Sequence, residues 1–241
     1  MLGVRAFLFY FCLALVSVYI GFCCLFIWVL PYKVRAPIIL VFNRSNLFFL
    51  RLMCGVTCEI RGQENIPKDT PFVVMSKHQS TWETFFLQVY FRPLATILKR
   101  ELLKIPCFGW GLAMMRPIAI DRSNPRAAIK TVKEKGVARL KMGMNVLVFP
   151  EGTRTPLGEV GNYARSGADI AIAAGVPVLP IAHNAGLHWP MHTWKKNPGT
   201  IVISIGPPIL PTGQNSREMT EAVKSWIESE VKTLPSSLPT R

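Results

Sequence analysis

The chain has 241 residues, half of them hydrophobic, and 28 Lys and Arg against 14 Asp and Glu, for a formal charge of +14. That length suits one substantial α/β domain with an appendage. Its six cysteines, Cys12, Cys23, Cys24, Cys54, Cys58 and Cys107, include no pair of CxxC motifs, which argues against structural zinc and against a disulfide framework.

The hydrophobic excess is local. Residues 6–32 carry no charge and are flanked by Arg5 on one side and by Lys33 and Arg35 on the other. The run is long enough to span a bilayer and too long for the apolar part of a cleaved signal peptide. Basic residues are denser after it than before it, which places the rest of the chain on the cytoplasmic face of the cell's inner membrane. A helical hairpin lying in one leaflet gives the same side. A second apolar stretch, residues 36–56, is broken by Asn43, Arg44 and Arg51 and suits a membrane-surface helix better than a span.

Beyond this region strands and helices alternate. Residues 56–61 read as a short strand, 62–69 as a polar turn, and 71–75 as a buried strand rich in β-branched residues. A helix is expected over 81–90, where Trp82, Phe85, Phe86 and Val89 recur at helical spacing. Strands follow at 95–99 and 117–121, with a glycine-punctuated loop or helix start at 108–111 between them. A basic helix spans 125–141, with Ala128, Val132, Val137 and Leu140 inward. Next come a strand at 145–149, a helix at 167–174 suited to close packing on a sheet, strands at 176–182 and 200–205, and an amphipathic helix at 216–232. The pattern predicts an α/β fold with a mainly parallel central sheet flanked by helices, preceded by a membrane-associated helical segment. The expected division is residues 1–55 as membrane-associated helices, 56–234 as the α/β domain and 235–241 as a loose tail.

Between Arg92 and Lys141 twelve Lys and Arg face only Glu101, Asp121 and Glu134, a local net of +9. Such a stretch suits anionic lipid or phosphorylated ligands. Nucleic acid is disfavoured, since no nucleic-acid motif accompanies it.

Three loops follow strands at Ser76, Phe149 and Ile181. In a mainly parallel sheet such loops gather along one edge and can share a site. The first carries His78 and, five positions on, Glu83. Five is not a same-face spacing on a helix, so the pair meets only if the backbone turns between them. A neutral imidazole held by a carboxylate is a general base for removing a hydroxyl proton. Glu83 also has a structural use, because Ser80 and Glu83 fit a capping box. The second loop, Phe149-Pro150-Glu151-Gly152-Thr153-Arg154, joins a glycine that permits close approach to a guanidinium suited to phosphate, with Glu151 able to buttress the arginine. His183, His188 and His192 cluster in sequence, but Gly186 and Pro190 interrupt any helix that would align them for a metal.

Together these segments resemble the bacterial 1-acyl-sn-glycerol-3-phosphate acyltransferases of the glycerolipid acyltransferase family. Four blocks appear in order across residues 56–208. They are His78 to Glu83; Lys99-Arg100-Glu101-Leu102 through Gly109-Trp110-Gly111 to Ile120-Asp121-Arg122; Phe149 to Arg154; and Val176 to Asn184. The resemblance implies acyl transfer from acyl-CoA or acyl carrier protein to the sn-2 hydroxyl of lysophosphatidic acid at a membrane, with no cofactor and no metal. It implies His78 as base and Glu83 as its partner. Arg154, with Arg122 and Lys99, would hold the acceptor phosphate, and Glu151, Gly152 and Thr153 would shape that pocket. The family carries Asp where this chain has Glu83, and the extra methylene displaces the carboxylate by about 1.5 Å. Rivals are an acyltransferase for another lysophospholipid or glycerol 3-phosphate, a membrane lipid hydrolase, disfavoured by the lack of a G-x-S-x-G elbow, and a non-catalytic anionic-lipid binder.

Overall fold

The computed structural model describes residues 2–121 and 125–238. It opens with two long helices, α1 (Leu2–Ile27) and α2 (Tyr32–Cys54), packed on each other as a hairpin. Then follow β1 (Val56–Arg61), β2 (Val73–Ser76), α3 (Trp82–Tyr90), β3 (Leu94–Lys99), α4 (Phe108–Met114), β4 (Ile118–Ile120) and α5 (Pro125–Lys141). The second half contributes β5 (Asn145–Val148), α6 (Ser166–Ala174), β6 (Val178–His183), the single turn α7 (Ala185–His188), β7 (Gly199–Ile205) and α8 (Ser216–Thr233).

The strands form one sheet in the order β1-β7-β6-β2-β5-β3-β4. Among the described residues every pairing between these strands is parallel except β6 with β7. This is the mainly parallel sheet that the alternating pattern predicts. Crossover helices cover both faces, so the central strands are largely apolar on both sides, and period-2 alternation sends neighbouring residues into different cores. Val74, Leu147 and Leu179 pack toward α1, α2 and α3. Val73, Met75, Val146 and Val148 pack toward α5, α6 and α8. The second core is tight: a Cβ on Gly167 would lie 2.6 Å from Met75 Sδ, so glycine there lets α6 close on the Met75 side chain of β2 without displacing it.

The helical hairpin shares a core with the sheet. Phe9 of α1 is fully buried and meets Trp189 edge-on with ring centroids 5.4 Å apart; Phe42 of α2 meets Phe85 of α3 at 5.7 Å. Full burial of one such side chain contributes about 1.5–3 kcal/mol. The opposite side of α1 exposes Phe7, Phe11, Leu15, Val18, Phe22 and Phe26. Both helices are long and apolar enough to cross a membrane by length and composition, including α2, which the sequence suggests as a surface helix. One of the residues that break its apolar run has a partner in the domain: Asn43 Nδ2 donates to Phe85 O at 3.4 Å.

Candidate active site

The turn between β2 and α3 carries the histidine. Lys77, Gln79, Ser80 and Glu83 are all buried, and the His78 side chain keeps 13% exposure. Glu83 Oε1 accepts three hydrogen bonds, from Gln79 N–H at 2.9 Å, Ser80 N–H at 2.8 Å and His78 Nδ1–H at 2.8 Å. The longer side chain therefore reaches the imidazole at full hydrogen-bond strength. The capping-box and His-partner readings converge on this one oxygen. The box itself is half formed: Thr81 is the N-cap, and Ser80 Oγ instead donates to Trp189 O at 2.8 Å.

A carboxylate can only accept, so Nδ1 carries a proton, and in the neutral imidazole Nε2 is the nitrogen with the lone pair. Among the described residues Nε2 has no partner. Phe149 stacks on the ring, with centroids 3.9 Å apart and planes 17° from parallel, and fixes its tilt. Burial pushes the Glu83 carboxyl upward, but the His183 and His78 imidazoles and the Ser80 N–H together outweigh it, and the net shift is below the usual carboxylate range. Burial holds the His183 imidazole below its ordinary value against the pull of Glu83. His183 is thus neutral, donating from Nε2 to Lys77 O at 2.8 Å and accepting at Nδ1 from Ala185 N–H at 3.3 Å.

The loop after β5 lies beside this turn because β5 and β2 are neighbours in register, Val148 opposite Met75. Gly152 takes φ +69°, a left-handed conformation that other residues adopt at a cost. Its N–H is committed to Phe149 O at 3.0 Å. Arg154 turns back toward the histidine turn, where Nε donates to Ser80 O at 3.0 Å. The guanidinium lines a cavity of about 300 Å³ with Ser80, Thr81, Trp189, His192 and Trp194.

The structure brings His78, Glu83 and Arg154 together. Thr153 and Gly152 are exposed on the same loop. Glu151 faces inward: Oε1 accepts from Lys77 Nζ, Thr155 Oγ1 and Gly161 N–H, and Oε2 accepts from His78 N–H at 3.0 Å. Its carboxylate braces the histidine's main chain, and it neither faces the cavity nor buttresses Arg154. Lys99 ends β3, two strands from β2 on the same sheet edge, with its side chain exposed. Arg122 lies outside the described residues. His188 Nδ1 is engaged with Asn197 O at 3.1 Å, and no three His, Cys, Asp or Glu among the described residues converge as a metal set.

Three participants escaped the sequence reading: Lys77, Trp189 and the 190–194 segment lining the cavity. Lys77 alone had a legible signal, a cation at the end of the buried strand Val73–Ser76, where burial demands carboxylate partners.

A protein-family model described as Acyltransferase matches residues 57–184, from β1 through the end of β6. The chain is 46% identical to the 1-acyl-sn-glycerol-3-phosphate acyltransferase of Pseudomonas aeruginosa over 93% of its length and 89% of that protein's. It is 34% identical to the human 1-acyl-sn-glycerol-3-phosphate acyltransferase alpha over 64% of its own length and 58% of the relative's. The crystal structure of the 1-acyl-sn-glycerophosphate (LPA) acyltransferase from Thermotoga maritima superposes with a TM-score of 0.81 at 28% identity, each chain covered in full. The sheet, the paired histidine and carboxylate and these likenesses agree: the chain belongs to the acyltransferase family.

Proposed function

We propose that this protein transfers a fatty acyl group from an acyl thioester to the sn-2 hydroxyl of lysophosphatidic acid, giving phosphatidic acid. The observation that carries the reading is the His78–Glu83 pair, 2.8 Å apart, in a turn that Arg154 grips at Ser80 O and whose Ser80 and Thr81 line a cavity with Arg154. The reaction named for the Pseudomonas, human and Thermotoga relatives supplies the acceptor.

In this mechanism Arg154 holds the acceptor phosphate by charge-assisted hydrogen bonds. His78 Nε2 takes the proton of the free hydroxyl as its oxygen attacks the thioester carbonyl. Glu83, ionised and fixed by two backbone N–H groups, stabilises the imidazolium. The tetrahedral intermediate collapses with loss of thiolate, which recovers the proton from His78. The acceptor hydroxyl is itself the nucleophile, so no acyl-enzyme forms and no cofactor beyond the thioester enters. Coenzyme A and acyl carrier protein are both acidic, and the basic 92–141 region suits either as donor.

The exposed apolar side of α1 supports residues 1–55 as the membrane-seated part. The Lys33, Arg35, Arg44 and Arg51 bias supports the inner membrane, with the 56–234 domain facing the cytoplasm. The test is acyl transfer by detergent-solubilised protein from oleoyl-CoA and oleoyl carrier protein to lysophosphatidic acid, beside a panel of other lysophospholipids and glycerol 3-phosphate. Transfer to lysophosphatidic acid that is lost in His78→Ala supports the reading. Transfer to another acceptor alone, or no transfer from either donor, overturns it.

A further inference from the structure

The least expected group in the molecule is the lysine beside the histidine. Lys77 is completely buried, and its ammonium has three acceptors: Glu151 Oε1 at 2.7 Å, Glu159 O at 2.9 Å and Glu228 Oε1 at 2.9 Å. Three N–H donors meet three acceptors, so the cation is fully satisfied. The network extends at both ends. Tyr163 Oη donates to Glu228 Oε1 at 2.8 Å, and Glu151 Oε2 receives His78 N–H. Thr155, which donates to Glu151, also caps the histidine turn: its N–H donates to His78 O at 2.8 Å.

Glu228 belongs to α8, which crosses the face of the sheet opposite α3 and lies 151 residues from Lys77. No block shared with the family includes it, and the reaction above does not use it. Yet one oxygen of Glu228 fixes the Lys77 ammonium. That ammonium fixes Glu151, and Glu151 fixes the histidine's main chain while gathering the Arg154 loop at residues 151, 155 and 161.

We propose that Glu228 is a positioning residue for catalysis, acting through Lys77 and Glu151 to hold His78 and the Arg154 loop in register. The inference rests on His78 being the base. Without the Glu228 acceptor the buried ammonium re-centres on Glu151 and Glu159, and Glu151 moves with it. The His78 main chain then pulls against the Glu83 bond at the other end of the residue. Misplacement by about 1 Å costs on the order of 100-fold in rate.

Lys77→Met would bury two carboxylates without their cation and is expected to misfold, so the test uses the other members. In detergent-solubilised full chain, kcat and KM for lysophosphatidic acid are measured well below each variant's unfolding midpoint. Glu228→Ala is expected to lower kcat about 10- to 100-fold. Glu228→Gln keeps an acceptor oxygen for Lys77 and is expected to retain kcat within about 3-fold, and Tyr163→Phe to fall between the two, since only the orienting donor is lost. A purely scaffolding α8 would lower the midpoint and leave kcat untouched. Wild-type kcat in Glu228→Ala, or equal losses in Ala and Gln, overturns the inference while His78→Ala stays inactive. Activity in His78→Ala would instead overturn the reading on which it rests.

Discussion

The turn after β2 passes from sheet to helix in five residues, 77–81, while the loop after β5 takes seventeen, 149–165. In the first, the polar groups that orient the imidazole come from the same short stretch: Glu83 binds His78, Gln79 and Ser80 through one oxygen. In the second, Thr155 and Gly161 bind Glu151 from within the loop, but the central cation and its anchor come from far away. Lys77 holds Glu151 and the Glu159 carbonyl, and Glu228 holds Lys77 from the last helix. A side chain proposed as a base needs its ring set to within tenths of an ångström, and a local clamp does this with few degrees of freedom. A loop proposed to admit a substrate phosphate is long, so its order has to be imposed by the surrounding fold.

Breaking the local clamp at its centre has the largest expected effect. His78→Ala removes the proposed base and is expected to lower kcat by about 10³-fold or more, at the upper end of general-base contributions, read as initial rates with saturating lysophosphatidic acid. Next is Glu83→Gln, which keeps the size of the side chain and presents a neutral amide to Nδ1. Loss of imidazolium stabilisation and of the tautomer lock is expected to cost roughly 100-fold in kcat with little change in KM. Glu83→Asp shortens a reach that is now 2.8 Å and is expected to fall between wild type and Gln.

The long loop should respond through binding instead. Arg154→Ala removes charge-assisted bonds worth about 1.5–3 kcal/mol, so KM for the phosphate-bearing acceptor is expected to rise about 10- to 100-fold, and an acceptor without a phosphomonoester should notice less. Thr155 ties the two loops together, bonding both Glu151 and the His78 carbonyl. Thr155→Val leaves a buried carboxylate short of a donor and is expected to cost about 1–3 kcal/mol of stability, measured by thermal unfolding.

The smallest effect is a pH slope. Burial depresses the folded-state pKa of His183, while in the unfolded chain a histidine titrates near about 6.5. Below that value the unfolded state binds more protons than the folded one, so stability falls as pH drops through and below about 6.5. The Glu83 shift is also downward, so its contribution is lost only within and below the carboxylate range. Unfolding midpoints from pH 7.5 to 5.5 should decline in the wild type and decline less steeply in His183→Gln.

The same contrast explains what could be read in advance. Strand and helix bounds followed from apolar period and turn residues, as with residues 216–232, whose helix begins after a real capping box between Asn215 and Glu218. The His78–Glu83 pairing was legible because both members lie within six residues and the turn between them is forced. The direction of Glu151 was not. Its neighbour Arg154 suggested a shared role at the phosphate, but a carboxylate goes where its strongest donors are, and those are Lys77 and the His78 N–H. Glu228 was invisible for the same reason. It sits beside Ile227 on a helix whose apolar stripe announces packing, and nothing in that stripe tells which buried cation waits beneath.

Between the last helical residue of the hairpin, Cys54, and the first strand residue, Val56, there is one residue, Gly55, in the left-handed conformation at φ +67°. Such a joint has no slack. A protein tethered by a flexible linker samples many heights and orientations above a surface, and its effective concentration there depends on linker length. Here the height is a constant of the fold: if α1 and α2 are seated in lipid as proposed, the same packing that buries Phe9 and Phe42 sets how far His78 stands from the acyl chains. Lateral diffusion of the lipids then has to bring substrate to a fixed point, and the search is two-dimensional.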